Sequence, residues 1–147
     1  MGRAFVLSLG EITLLGAALL SLGYFAGSNK KGVAASKQPP AFVLAVNLKF
    51  STLTHRDTFL QLIDPVCKDV LANEAETTLS YKVAISDKDP LLVLVLERYS
   101  DKDHGYLKVH RSGTEFLNFR EKLKVMQEEG GVVIQGESYL ETELGYV

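Results

Sequence analysis

The sequence predicts one α+β domain, with strands and helices in the order βαββαβ, behind a single apolar N-terminal helix. Three observations predict this arrangement. Every second residue from Phe42 to Phe50 is large and apolar, as in a strand with one buried face. Residues 55–71 carry apolar side chains at helical spacing. Residues 4–26 are almost entirely apolar. The first two patterns indicate a globular domain, and the third indicates a membrane segment.

The N-terminal segment over residues 4–26 is long enough to cross a membrane. Its sequence, AFVLSLGEITLLGAALLSLGYFA, spans about 34 Å as a helix, against a hydrocarbon core of about 30 Å. We therefore expect a single-pass membrane anchor helix over residues 1–28, a linker over 29–40 and a domain over 41–147. A cleaved signal peptide is the second interpretation of the segment, and a transit peptide is the third.

The residues that flank this segment favour a cytoplasmic location for the domain. Arg3 precedes the segment, whereas three lysines follow it, namely Lys30, Lys31 and Lys37. The lone cysteine, Cys67, cannot form an intramolecular disulfide and agrees with a reducing compartment. If the segment is cleaved, a secreted or organellar location is the alternative.

The composition of the domain argues against a nucleic-acid partner. Residues 41–147 contain 12 Lys and Arg against 17 Asp and Glu, so negative charges exceed positive ones. Phosphate recognition requires a concentrated basic face, which this composition does not predict. The His, Cys, Asp and Glu residues show no metal-ligand spacing, so we predict no metal site.

The first half of the domain is predicted to form a strand, a helix and a second strand. The first strand begins at Ala41, and Thr54 is the expected N-cap of the helix. Pro65 should kink this helix, and Asn73 should end it. The predicted second strand covers Thr77–Ser86. The helix is expected to direct this stripe to the core: Phe59, Ile63, Val66, Cys67, Val70 and Leu71.

A third strand and a short helix follow. The third strand, Leu91–Tyr99, is the most apolar run of the domain. Asp101 or Asp103 is expected to cap a short helix that continues through His110. This helix would connect the third strand to the second long helix.

The second long helix and a fourth strand complete the domain. Ser112 and Glu115 have capping-box spacing, and Gly130–Gly131 ends the helix. Val132–Leu144 is the predicted last strand. The apolar side chains of the helix that we expect in the core are Phe116, Phe119, Leu123 and Met126. The complete order is the ferredoxin-like one.

Both faces of the predicted sheet require burial. The first strand places Val43 and Ala45 on the face opposite Phe42, and residues 91–96 do not alternate at all. An antiparallel sheet with one solvated face should instead show polar residues there. A second copy packed face to face is the simplest cover, so we predict a homodimer through the open sheet face.

The stretch LVLVLERYSDKDHGYLKVHRSGTEFLNFREKL resembles the central signature of the antibiotic biosynthesis monooxygenase domain. Its elements are an apolar strand, Glu97 and Tyr99, a short helix ending at His110, and a helix centred on Phe116. The resemblance extends over about residues 41–139. It implies a dimeric α+β barrel with a pocket between the sheet and the helices of each protomer. Some members oxygenate phenols or quinols without a cofactor, and others degrade haem.

The resemblance does not favour the haem-degrading branch. Asn47 matches an asparagine of that branch on the first strand. However, Arg120 stands where the branch has its haem-ligating histidine, and the chain contains no tryptophan, which the branch places near the position of His110. We therefore predict no haem and no other cofactor.

Three residues are candidate catalytic groups. Histidine is the side chain best suited to proton transfer near neutral pH, so His110 could serve as a general base, or it could simply close the short helix. Asn47 could hold a substrate oxygen or satisfy a dimer contact. Tyr99 could supply a hydroxyl at the pocket mouth or be a sheet-edge aromatic. The residues that we expect to contact the substrate are Ile63, Cys67, Phe116 and Phe119.

Two functions from different classes remain open at this point. The first is a cofactor-independent monooxygenase that acts at a membrane on a small aromatic, phenolic or quinol-like substrate. The second is a non-catalytic, membrane-tethered dimer that binds a small hydrophobic or aromatic ligand. The resemblance favours the monooxygenase. The lack of a clear set of catalytic residues favours the binding module.

Overall fold

The computed structural model describes residues 40–142 and residue 144. Its strands are β1 (Phe42–Phe50), β2 (Thr78–Ile85), β3 (Leu92–Tyr99) and β4 (Val132–Leu140). Its α-helices are α1 (Leu53–Asn73) and α2 (Thr114–Glu128). A π-helix (Lys102–Val109) and a 3-10 turn (His110–Ser112) lie between β3 and α2.

The four strands form one antiparallel sheet in the order β2-β3-β1-β4. The central strands, β1 and β3, are each followed by helical structure that covers the same face of the sheet. This topology is the ferredoxin-like one that the sequence predicts.

Helix α1 begins earlier than predicted. Thr52, not Thr54, is its N-cap, because the Thr52 Oγ1 accepts a hydrogen bond from the backbone N–H of His55 at 3.1 Å. The helix continues past Pro65 and ends at Asn73, as expected. Leu71 was wrongly placed in the core stripe, since 80% of its surface is exposed. Its neighbour Val70 is the buried residue at that level of the helix.

The connection after β3 is helical and begins after Asp101, as predicted, but it is a π-helix, which the sequence did not predict, and it ends at Val109. The Asp101 carboxylate accepts a hydrogen bond from the backbone N–H of His104 and so caps this helix. His110 begins the 3-10 turn directly after it. The expected capping box at Ser112 is wrong: Gly113 is the N-cap of α2, and the Ser112 hydroxyl instead donates to the carbonyl of Val109.

The core lies between the sheet and the two α-helices. Helix α1 and helix α2 each supply four buried apolar side chains, and those predicted for α2 are all confirmed. The buried members of this main cluster are Leu48, Phe50, Phe59, Ile63, Val66, Val70, Val93, Val95, Phe116, Phe119, Leu123, Met126, Val132 and Ile134. A smaller cluster of Phe42, Tyr99 and Tyr106 lies at the π-helix end.

The other face of the sheet carries no helix among the described residues. Its central apolar side chains come from β1 and β3, and Ala45 pairs with Leu96 there. On β4, 53% of the surface of Val133 and 54% of that of Tyr139 are exposed. We call this surface the open face.

Residues 1–39 lie outside the described part of the chain, and the predicted anchor helix and linker lie among them. Within residues 40–142 and residue 144, no helix has the length and apolar character needed to span a membrane. The predicted last strand is shorter than expected and ends at Leu140 rather than Leu144.

Candidate functional site

A cavity of about 300 Å³ lies between the helix-covered face of the sheet and the helices. This volume is at the lower end of the range of about 300–1,000 Å³ found for small-molecule pockets. Most of its wall is apolar, and the apolar and aromatic lining side chains are Phe42, Leu44, Val46, Leu48, Phe59, Ile63, Tyr81, Val95, Tyr106, Leu107, Phe116, Phe119, Leu123 and Ile134. The space is therefore suited to a small aromatic or aliphatic molecule.

Glu97 brings a carboxylate to the wall of this cavity. It lies on β3 and is only 5% exposed. The Tyr99 hydroxyl donates a hydrogen bond to Glu97 Oε2 at 2.7 Å. Burial raises the pKa of Glu97 because the charged form loses its hydration, while the hydrogen bond from Tyr99 acts in the opposite direction. A buried carboxyl with a raised pKa in the wall of a cavity is a candidate for proton exchange with a bound molecule.

Phenol groups surround this carboxyl. Tyr81 and Tyr106 line the cavity, and Tyr99 lies behind it with no exposed surface. Burial raises the pKa of each of these phenols, and the negative charge of Glu97 raises each further. All three are therefore neutral hydroxyls at physiological pH, able to donate hydrogen bonds.

Positive side chains also reach the cavity. Arg120 of α2 and Lys102 of the π-helix are both lining residues. The Arg120 guanidinium lies 5.7 Å from the centre of the Phe116 ring, and the Lys102 ammonium lies 5.7 Å from that of Phe42. Burial lowers the pKa of Arg120, and the nearby charge of Arg111 lowers it further.

His110 is wholly buried but does not line the cavity. Its Nδ1 lies 3.0 Å from Glu74 Oε2, and the same carboxylate accepts from the Thr78 hydroxyl. The ring packs 4.4 Å from Phe116 and 5.4 Å from Tyr81, centre to centre. Its Nε2 is buried without a hydrogen-bond partner among the described residues. The ring thus supports the cavity wall from behind, and its proposed action as a base stays a prediction.

Asn47 lies on the open face, away from the cavity. Val46 and Leu48 on either side of it line the cavity, and side chains of a strand alternate between faces. Asn47 is exposed and pairs in register with Leu94 and Gln135. The resemblance implied that Asn47 and His110 face one pocket. The structure does not bring them together in this way.

The predicted substrate-contacting residues divide into two groups. Ile63, Phe116 and Phe119 line the cavity. Cys67 is half-buried against the main core and does not line the cavity. Whether these residues contact a substrate stays a prediction.

The polar and charged side chains that line the cavity are not among the candidate site residues predicted from the sequence. Glu97 entered only as part of a family signature. A signal was present, because Val93, Val95, Glu97 and Tyr99 occupy alternate positions of β3 and all of them are buried. A charged residue at an inward position of a core strand should have indicated a functional carboxyl.

The raised pKa of Glu97 predicts a specific pH dependence of stability. Burial favours the neutral form, so this stabilisation is fully present below the unfolded pKa, about 4.3 for Glu. It is lost as pH rises through the higher folded pKa, by at most about 1.4 kcal/mol per pH unit. Glu97→Gln retains an acceptor for Tyr99 and removes the titration. We expect urea unfolding of the variant to show a smaller decline with pH than the wild type.

The difference between the two stability curves isolates this one carboxyl from all other titrating groups. A difference that stays constant at every pH above the unfolded pKa of Glu would show that Glu97 ionises as an exposed glutamate does.

Comparison with known proteins bears on the fold. No protein-family model matches the chain, and no curated protein matches it. Solved structures do match. A candidate antibiotic biosynthesis monooxygenase from Nitrosomonas europaea is 14% identical with a TM-score of 0.58, covering 74% of this chain and 97% of that one. A second from Caulobacter crescentus is 20% identical with a TM-score of 0.55, covering 72% and 93%.

A third match is a dimeric ferredoxin-like protein from an uncultured marine organism. It is 13% identical with a TM-score of 0.53, and the alignment covers 75% of this chain and 95% of that one. The identities are low, so the comparison concerns backbone architecture rather than the residues of the cavity. The chain therefore has the same ferredoxin-like fold as these solved structures, and the resemblance seen in its sequence is confirmed at the level of fold.

Proposed function

We propose that this chain is a monooxygenase-type oxidoreductase that acts, without a cofactor, on a small aromatic, phenolic or quinol-like substrate. The observation that carries the proposal is the apolar cavity with the buried carboxyl of Glu97 on its wall. The proposal draws further support from the solved structures of the same fold that are named as candidate monooxygenases.

The proposed reaction requires the protein mainly to remove a proton from the substrate. When a phenol becomes a quinone, one oxygen atom of O₂ enters the product and the other leaves as water, and the substrate supplies the electrons. Loss of the phenolic proton makes the ring electron-rich enough to react. The ionised form of Glu97 would accept this proton, and burial makes that form a stronger base than an exposed glutamate. Tyr81 and Tyr106 would donate hydrogen bonds to substrate oxygens.

Oxygen uptake by the full chain against a panel of quinols and phenols tests the proposal. Glu97→Gln should lower the turnover of any active substrate by about 10²–10⁴-fold, the usual contribution of general base catalysis. The matched control is Glu76→Gln, which removes a carboxylate from an exposed position and should leave turnover unchanged. Equal turnover in wild type and Glu97→Gln would remove Glu97 from the reaction.

The alternative is a non-catalytic module that binds a hydrophobic ligand in the same cavity. The position of Asn47 on the open face and that of His110 behind the cavity wall favour it, because the two predicted catalytic groups do not face a common substrate. Tight binding of several quinols with no oxygen uptake by any of them would support this alternative.

We further propose that the chain is a homodimer in which two open faces pack together. The apolar side chains of Leu94, Leu96, Val133 and Tyr139 would be covered in this way. The dimeric ferredoxin-like protein of the same fold supports the proposal.

A charge placed on the open face tests the dimer. Leu96→Lys should halve the molar mass that light scattering measures for residues 40–147 after size-exclusion chromatography at micromolar concentration. The reason is that an unpaired charge buried in the interface costs roughly several kcal/mol. The control is Leu71→Lys, at an exposed position of α1, which should leave the mass unchanged. A wild-type mass equal to that of one chain would exclude the dimer.

We also propose that residues 4–26 tether the domain to a membrane, with the domain on the cytoplasmic side. The length and apolar character of the segment support this, and a tether would bring the cavity close to lipophilic quinols. In alkaline carbonate extraction, the full chain should stay with the membrane pellet, whereas residues 40–147 alone should enter the supernatant. Release of the full chain would exclude an integral anchor.

A further inference from the structure

Gly136 of β4 leaves part of the cavity floor without a side chain. It is the one glycine among the described residues that line the cavity. It lies directly opposite Val46 of β1, which also lines the cavity. Directly opposite residues of paired strands share a face of the sheet, so a side chain at position 136 would project into the cavity. The space over β4 therefore exists because this residue is glycine.

The backbone of β4 does not require a glycine at this position. The pairing of β4 with β1 continues through Gly136 without a shift of register, so there is no bulge. The backbone of Gly136 does not have a positive φ. A Cβ at this position would lie 3.7 Å from Val46 Cγ2 and 4.0 Å from the carbonyl oxygen of Ala45, which are ordinary van der Waals distances. A residue with a side chain would therefore fit the strand.

A glycine without such a backbone requirement is unfavourable in the middle of a strand. Glycine loses more conformational freedom on folding than other residues, and it has no side chain to pack. Leu44 and Val46 beside this space are only half-buried, and apolar atoms beside an empty space lose dispersion contacts. A bound molecule over Gly136 would supply these contacts. Close approach of a ligand is a known reason for glycine inside a strand.

The space over Gly136 is separated from Glu97 by the width of two strands. Glu97 lies on β3 and Gly136 on β4, and β1 lies between these strands. Neighbouring strands are about 4.8 Å apart, so the two residues are at least about 9 Å apart across the sheet. A single phenol ring with its hydroxyl at Glu97 would not reach Gly136, whereas a phenol with a substituent opposite the hydroxyl would.

We infer that the natural ligand of this cavity is a phenol with an apolar substituent opposite its hydroxyl, and that Gly136 sets the length of that substituent. The hydroxyl lies at Glu97, and the substituent crosses β1 to lie over Gly136 beside Val46 and Ile134. Both of these neighbours are aliphatic, which suits an alkyl group. This inference deepens the proposed function, on which it rests for the position of the hydroxyl at Glu97, by naming the shape of the substrate.

Isothermal titration of the full chain in lipid nanodiscs tests the inference, with empty nanodiscs as the blank. Oxygen is excluded, so that the measurement reports binding alone. The probes run from 4-methylphenol to 4-butylphenol in steps of one methylene, so they differ only in length. We expect binding to tighten by about fourfold for each methylene, because each one is removed from water over Gly136.

Gly136→Val fills the space over β4 and should shorten the ligand that the cavity accepts. The variant should bind 4-methylphenol as the wild type does. It should bind 4-butylphenol at least about tenfold more weakly than the wild type, because a hydrophobic pocket rejects a misfitted methylene by about this factor or more. Gly136→Ala should show a smaller loss. Without ligand, the thermal unfolding midpoint of Gly136→Val should be no lower than that of the wild type, since valine suits a strand better than glycine.

The matched control is Gln135→Val. It introduces the same side chain one residue earlier on β4, at an exposed position opposite Asn47 on the open face. The affinities for both probes should equal those of the wild type. A loss of 4-butylphenol binding as large as in Gly136→Val would overturn the inference, because that loss would not depend on the cavity.

The outcomes separate this inference from the proposed function. No binding of 4-butylphenol by the wild type, an equal loss of both probes in Gly136→Val, no loss of either, or a lowered unfolding midpoint of this variant would overturn the inference. Oxygen uptake with other phenols or quinols would still support the proposed function in each of these cases. A loss confined to the longer probes, without oxygen uptake by any substrate, would support the inference and count against the monooxygenase chemistry.

Discussion

The antiparallel pairing of β1 with β3 at the centre of the sheet determines what most residues of this domain can do. Each side chain of these two strands must point to one of two faces, and a shift of one residue would exchange the faces. The pairing directs Val95 and Glu97 toward the helices and Leu94 and Leu96 toward the open face. The cavity and the proposed dimer surface are therefore opposite sides of the same strands.

Among the described residues two glutamate side chains are buried, Glu97 on β3 and Glu74 at the end of α1, and each has partners that make its burial tolerable. Glu97 accepts from Tyr99, and Glu74 accepts from Thr78 and pairs with His110. The His110 ring lies 5.4 Å from Tyr99, centre to centre, and so connects the two groups by packing. Since a buried charge without partners costs far more than one with them, the aromatic cluster and the two acids specify one another's positions.

The sequence could predict the fold because the fold depends on periodicity. The alternation in β1, the helical stripe of α1 and the apolar run of β3 all concern side chains that must be buried in any arrangement. The exact cap of α1 could not be predicted, because Ser51, Thr52 and Thr54 are all capable caps and only the path of the chain selects Thr52. The π-helix has only eight residues, too few for a side-chain period to distinguish it from an α-helix.

The site was harder to predict for a different physical reason. The partner of His110 is Glu74, 36 residues away, and only the packed structure brings them together. Asn47 shows the opposite case, since the alternation of β1 already placed it on the face away from Phe42. Assigning it to the pocket by resemblance to a family contradicted that alternation. Local periodicity was the stronger evidence, because it follows from the geometry of the strand itself.

The position of Glu97 shows how one strand could serve both the proposed dimer and the proposed chemistry. A carboxyl on the open face would be covered by a second copy in the proposed dimer. In a monomer it would be exposed to water and would have an ordinary pKa. On the inner face of β3 it lies among Val95, Tyr81 and Tyr99, in an environment that favours the neutral acid. A dimer that covers Leu94 and Leu96 would hold β3 in place from behind. It would thereby stabilise the strand that carries the carboxyl without contacting the cavity.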